Sequence, residues 1–334
     1  AEPLADAKHR LPVLEGAAFP KFINGPESFT PDNQFIMGEP AGVDGLFVLA
    51  GFNSVGIASA GGAGKYAAEW LEQGAPTLDL GSVDIRRFMP FQNDRFYLRE
   101  RVPETLGLHY EMAWPNREME TARGIRRTPL YTQLHARNAC FGTSAGWERA
   151  NWFAPPGIDP KVSYSFHKQN WHPYVAEEVL GCRENVAIFD QSTFSKFHFR
   201  GKDAVAVLQR LCGANVDVPD GRIVYTGMFN ERGTFEADLT VVRLEEDAFY
   251  LISSTAQAVR DADWIARHLP ADADAHLTDI TAALGVVSVM GPNARALLSK
   301  VSSADLANEA FPFGTAQEIV INGCRVRALR LSYV

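Results

Sequence analysis

The chain has few cysteines: Cys140, Cys182, Cys212 and Cys324 stand far apart, with no CxxC pair and no Cys/His spacing that suits zinc. That argues against a disulfide scaffold and a zinc module, and free thiols in a reducing compartment are the plain expectation. No apolar run approaches the roughly 18–20 residues that span a bilayer. The opening Ala-Glu-Pro-Leu-Ala-Asp-Ala-Lys lacks the apolar core of a signal peptide. Basic residues are in deficit, 32 Lys and Arg against 40 Asp and Glu, and the net charge is −8. They are also interleaved with acids, so no nucleic-acid partner is expected. Internal repeats and low-complexity tracts are missing. So are the familiar phosphate-binding motifs. Gly64-Lys65 is followed by Tyr66, where a P-loop needs Ser or Thr, and Ser59 takes the place of its first glycine. No GxGxxG directly follows a strand with an acid about 20 residues on.

What remains is a globular composition, 46% hydrophobic and 22% charged, in 334 residues. That length suits two or three domains. Residues 1–45 are rich in Pro and Gly, with a short strand near 21–23 and then turns. A surface loop is the simpler reading there, a functional loop the alternative. Residues 46–50 form an apolar strand, 51–56 a turn of small residues, and a helix runs from about Ser59 to near Gly74. Strand, glycine turn and helix aim backbone N–H groups and a positive dipole end at an anion. Close packing that requires small side chains explains the pattern equally well.

Further on, 94–108 reads as an amphipathic helix with a solvated basic face. Arg123, Arg126 and Arg127 read as a solvated cluster, with bidentate carboxylate binding as the alternative. A short helix covers 130–138, and 151–157 is a loop and a boundary. Helices are then expected at 172–182, from Asp203 through Val205, Leu208 and Leu211, at 256–268 and at 293–301. Strands are expected at 187–190, 195–200, 248–254, 284–290, 318–321 and 325–333. Between them lies a hairpin over 225–243 whose turn is Asn230-Glu-Arg-Gly233. Phe235, Ala237, Leu239 and Val241 share one face, and Glu236, Asp238, Thr240 and Val242 the other. Asp238 is therefore either solvated or aimed into a polar pocket. Antiparallel hairpins mixed with helices make the fold class α+β.

Five stretches carry a resemblance: Gly45-Leu-Phe-Val-Leu-Ala-Gly-Phe-Asn-Ser-Val-Gly-Ile57, Gly61-Gly-Ala-Gly-Lys-Tyr66, Arg86-Arg-Phe88, Thr128-Pro-Leu-Tyr131 and Tyr225-Thr-Gly-Met-Phe-Asn-Glu-Arg-Gly233. In this order they resemble the sarcosine/dimethylglycine dehydrogenase family, over nearly the whole chain. Members join an FAD-dependent amine oxidoreductase domain to a folate-binding domain similar to the glycine-cleavage aminomethyltransferase. The resemblance implies three regions: 1–85 as the end of the FAD domain, 86–150 as a small middle domain, and 151–334 as the first part of the folate domain. The family's dinucleotide fingerprint and flavin-linking histidine are not in this sequence. Both ends read as cut, and the 334 residues alone are expected to be inactive as an oxidase.

The resemblance also implies site residues. Gly51, Phe52, Asn53, Ser54, Val55 and Gly56 would lie against the flavin ring of FAD, with Phe29, Thr30, Pro31 and Asp32 as the loop nearby. Asp238, Leu239, Thr240 and Tyr333 would contact tetrahydrofolate. Asp238 would be catalytic: a carboxylate there can orient an iminium carbon and accept a proton as the methylene bridge forms. Ala237 takes the place of the first of two adjacent acids in the aminomethyltransferase pattern. The implied substrate is an N-methylated glycine, oxidised through FAD, with its one-carbon unit passed to tetrahydrofolate. A folate-only transferase and a regulatory relative similar to the pyruvate dehydrogenase phosphatase subunit are the alternatives. Bacterial cytoplasm or the mitochondrial matrix is the expected location.

Overall fold

Residues 2–18, 21, 23 and 25–332 are described by the computed structural model. The chain opens with helix α1 (Glu2–Arg10) and a 3-10 turn, where the sequence offered no first element. Neither Lys21 nor Ile23 lies in a strand; Phe22, on which that expectation also rests, is outside the described residues. Strands β1 (Ile36–Gly38) and β2 (Val48–Ala50) pair antiparallel and lead into helix α2 (Gly56–Gln73). Gly74, at φ 73°, ends the helix in the left-handed conformation that glycine adopts without penalty. Met37, Ala63, Ala67, Trp70 and Val83 form the core of this unit. Gly38 is required in it: a Cβ there would sit 2.6 Å from the Trp70 ring.

Helix α3 (Arg95–His109) begins where Asp94 accepts the Phe96 and Tyr97 N–H groups, a standard N-cap. Its basic face is not all solvated as expected. Arg101 is buried and donates to the Thr121 carbonyl, where Glu120 and Thr121 bond to Glu104 of the same helix. After α4 (Tyr131–Ala136), strands β3 (Ala139–Ser144) and β4 (Trp147–Phe153) form a hairpin that sequence patterning missed. It turns through Ala145 and Gly146, both at positive φ. The chain from 151 to 153 is thus strand where a loop was expected.

Helix α5 (His172–Glu184), β5 (Ala187–Asp190), β6 (Ser195–Arg200), α6 (Ala204–Leu211), β7 (Ile223–Phe229), β8 (Phe235–Glu245), β9 (Ala248–Ser253), α7 (Ala258–Arg267) and β10 (His276–Asp279) follow. Next come β11 (Val287–Met290), α8 (Ala294–Leu298), β12 (Thr315–Ile321) and β13 (Cys324–Arg330). The central sheet is antiparallel, in the order β10-β6-β9-β8-β7. On one face Phe199, Leu239, Val241, Phe249 and Leu251 pack against Leu208 of α6 and Ile265 of α7. On the other, Ile223, Val242 and Tyr250 pack against Ala316 and Leu329 of the β12–β13 hairpin. The α+β class holds. The second face of β8 is covered at Thr240 and Val242, half-buried at Glu236 and open at Asp238.

Candidate functional site

The focal hairpin brings Tyr225 of β7 opposite Thr240 of β8, and Gly227 opposite Asp238. The Tyr225 hydroxyl donates to Asp238 Oδ2 at 2.8 Å. Gly227 cannot be replaced freely, since a Cβ would meet the Phe235 ring at 2.4 Å. Phe235 and Phe229 meet at a tilt, 4.6 Å between ring centroids, near the hairpin tip. Strand β9 stops at Ser253, which pairs with Leu239, so β8 runs past its neighbour at Asp238. The resulting notch is a cavity of about 100 Å³, lined by Phe194, Tyr225, Asp238, Thr240, Ile252 and Ser254, with Leu239 and Ser253 beneath. Asp238 is solvent-accessible and stands at its rim. Complete small-molecule pockets run to roughly 300–1,000 Å³. At this size the notch is smaller than a complete small-molecule pocket.

Asp238, Leu239 and Thr240 are brought together at this notch. Tyr333 lies outside the described residues. Sequence reasoning passed over Tyr225 as a site residue, although its place on the polar face opposite Thr240 follows from the hairpin register. Phe194 was also passed over. Its loop is held by Lys196, which is fully buried and donates from Nζ to the carbonyls of Ser192 (2.7 Å) and Phe194 (2.9 Å). Burial pushes that ammonium down to about 8.

On α7, which packs against β8, lies Asp261. It is 3% exposed, and neither carboxyl oxygen has a hydrogen-bond partner. Burial pushes it up to about 7, and the charge of Asp238 adds in the same direction. The Ser253 hydroxyl lies close enough to favour the charged form but closes no hydrogen bond of good geometry. The preceding residue, Arg260, pairs with Glu236 of β8 at 3.0 Å.

The 51–56 turn is ordered by Asn53. Its side chain accepts from the Thr30 N–H (2.8 Å) and donates to the carbonyl of Gly51 (2.6 Å). Asn53 and Ser54 both hold positive φ, at 49° and 66°. Gly51 is needed because a Cβ would lie 2.6 Å from Thr30 Cγ2. Phe52 stacks on Phe35 at 4.9 Å, inside the protein's own packing. Of the six turn residues, Asn53 and Val55 spend their N–H groups internally, on Ser28 and Phe52. Gly56 opens α2, so the helix N-terminus does point out of this turn. The loop of Thr30 and Asp32 lies beside it, tied to Arg87 by Asp32 at 2.6 Å.

Arg123 is no free cation. Glu148, itself buried, holds it through Nε (2.9 Å) and Nη2 (2.5 Å), and Arg126 lies over the Trp147 ring at 4.2 Å. Among the described residues no group of His, Cys, Asp and Glu side chains could hold a metal, and no helix is long and apolar enough to cross a membrane.

Residues 130–334 match the GCVT N-terminal domain, and residues 73–128 match the FAD dependent oxidoreductase central domain. The chain is 43% identical over 330 residues to 4-methylaminobutanoate oxidase (formaldehyde-forming) of Paenarthrobacter nicotinovorans, covering 99% of this chain and 40% of that protein. It is 39% identical to the mitochondrial pyruvate dehydrogenase phosphatase regulatory subunit of Mus musculus, with 98% and 38% covered. To the mitochondrial sarcosine dehydrogenase of Homo sapiens it is 36% identical, with 98% and 40% covered. The chain thus spans about two-fifths of the length of these relatives.

Proposed function

This chain belongs to the GCVT N-terminal domain family, and from that premise we propose that it is part of an FAD-dependent enzyme that oxidatively removes an N-methyl group from a methylated amino acid and passes the one-carbon unit to tetrahydrofolate. The Tyr225–Asp238 pair at the notch is the observation that carries this reading. When bound, FAD supplies a hydride acceptor and the reduced folate supplies nitrogens that take the one-carbon unit. The chain's own residues do the rest. Asp238 offers a carboxylate that can hold a cationic carbon and take the proton a folate nitrogen loses. Tyr225 fixes the direction of that carboxylate. Asn53 shapes the turn whose helix start would face the negative charge of a reduced flavin ring.

Supporting this reading are relatives that act on sarcosine and on 4-methylaminobutanoate, which widens the substrate from a methylated glycine to N-methylated amino acids. The regions 1–85, 86–150 and 151–334 would be the end of the FAD domain, the middle domain and the start of the folate domain. With a bacterial and a mitochondrial oxidoreductase among the relatives, bacterial cytoplasm or the mitochondrial matrix is the proposed location. A regulatory role is a second reading, favoured by the 39% identity to a phosphatase regulatory subunit. Absorbance of the full-length protein separates the readings. Flavin bands that bleach on adding an N-methylated amino acid support the enzyme. A colourless protein that binds reduced folate indicates a transferase, and one that binds neither indicates the regulatory role.

A further inference from the structure

The reading of Asp238 leaves Asp261 unexplained. A buried carboxyl with no hydrogen-bond partner is costly when ionised, and proteins rarely keep one without use. Asp261 reaches inward from α7 toward the end of β9, where the Ser253 hydroxyl is likewise buried and unpartnered. Ser253 lines the notch that Asp238 borders, α7 packs against β8, and the Asp238 charge acts on Asp261. The charged groups around it are few. Arg260 on the same helix is engaged by Glu236, and Arg86, from the segment packed against α7, is engaged by Asp84 and Asp263. Asp238 on β8 is the facing charge without a cation paired to it among the described residues.

We propose that Asp261 is a positioning residue that acts on the notch through Asp238. This rests on the reading of Asp238 as the group that meets a cationic one-carbon fragment. Protonated, Asp261 leaves Asp238 as the single anion of the notch. Ionised, it places a second negative charge behind Asp238, which draws a cationic fragment, and the proton released beside it, more strongly toward that carboxylate. Ser253 and the Arg260 charge are the neighbours that favour the ionised form. The pair is thus a proton-set control on the strength of the site, operating near neutral pH.

Carboxyl titration in the chain labelled with carbon-13 at aspartate tests the pair without any ligand. One carboxyl is expected to titrate near pH 7. Asp261→Asn should remove that signal, Asp238→Asn should move it to lower pH, and Ser253→Ala should move it to higher pH. A signal that survives Asp261→Asn, or ignores Asp238→Asn, overturns the pairing. One-carbon capture by the full-length protein gives the second readout. Methylenetetrahydrofolate formation is expected to rise with pH through this range, and Asp261→Asn should abolish the rise while amine oxidation is unchanged. An unchanged pH profile in that variant overturns the positioning role. If Asp238→Asn captures one-carbon units as well as the wild type, the reading of Asp238 fails instead, and the titrations still decide whether the two acids are coupled.

Discussion

Arg86 and Asp263 lie 177 residues apart in sequence and meet at 3.1 Å in the interior. Arg86 also grips Asp84 at 2.6 Å, and Arg267 joins Asp263 at 2.7 Å and Glu39 at 2.6 Å. This ladder fastens α7, which packs on the central sheet, to the unit built from β1, β2 and α2. The hairpin tip adds a bond from Arg232 to the Pro76 carbonyl. The paired carboxylates hold the Arg86 guanidinium charged despite its burial.

Removing one member of such a network leaves buried charges uncompensated, which costs about 3–5 kcal/mol. Arg86→Ala should therefore lower stability by about that much in urea titration. Arg86→Lys should recover only part of it, because a single ammonium cannot serve Asp84 and Asp263 in the planar fork that Arg86 provides. Equal stability of Arg86→Ala and wild type would show that the ladder contributes nothing.

Asn53 supports a different expectation. Its side chain closes the 51–56 turn through Thr30 and Gly51 and is 2% exposed. Asn53→Ala leaves buried partners unpaired, at about 1–3 kcal/mol each. The full-length protein should then lose flavin on gel filtration while its affinity for reduced folate is kept. Retained flavin at wild-type content would detach this turn from the flavin site.

Much of the sheet was legible because its strands are short, β-rich and bounded by turn residues. Strand 195–200 and the 225–243 hairpin follow from alternation, and 187–190 reads as a short strand beside them. The β3–β4 hairpin was hidden for a physical reason. Its strand residues include Gly142, Glu148, Arg149 and Asn151, and the polar ones are satisfied by tertiary partners such as Arg123 and Glu118 that no local pattern reveals. Strand β10 was hidden too, since His276, Thr278 and Asp279 are exposed on an edge strand beside Arg200 and Phe197. Asp238 could be singled out from the hairpin, but its notch could not. The notch exists because β9 ends at Ser253 while β8 continues, and strand ends are set by packing. Asp261 escaped notice for a similar reason: on a helix, an acid next to Arg260 reads as surface, and only the fold shows it buried.

Tyr225 and Asp238 make a prediction about partition. Asp238→Asn keeps the shape of the side chain and removes its charge. One-carbon transfer to tetrahydrofolate should fall by about 10²–10⁴-fold, the range of a lost general base. Amine oxidation in the same protein should be unaffected, so formaldehyde should accumulate in place of methylenetetrahydrofolate. Tyr225→Phe removes one hydrogen bond at 2.8 Å and should cost about three- to ten-fold in the same transfer. Unchanged partition in Asp238→Asn would remove Asp238 from the reaction.

Stability against pH offers the last check, and its sign is fixed by burial. Asp261 stands at about 7 in the folded chain, above its ordinary value of 3.8. The folded state therefore binds this proton more tightly than the unfolded state does. Its contribution to stability is fully present below about pH 4 and is lost as pH rises to about 7, above which the loss is constant. Over that window the change is on the order of 4 kcal/mol. An amide at this position cannot ionise, so Asp261→Asn should lack that decline. The variant should gain on the wild type between pH 4 and 7 and keep a constant advantage above it, as read by urea unfolding at pH 5, 7 and 8. Parallel curves across the whole range would mean that Asp261 is already charged at low pH, and that burial does not govern it.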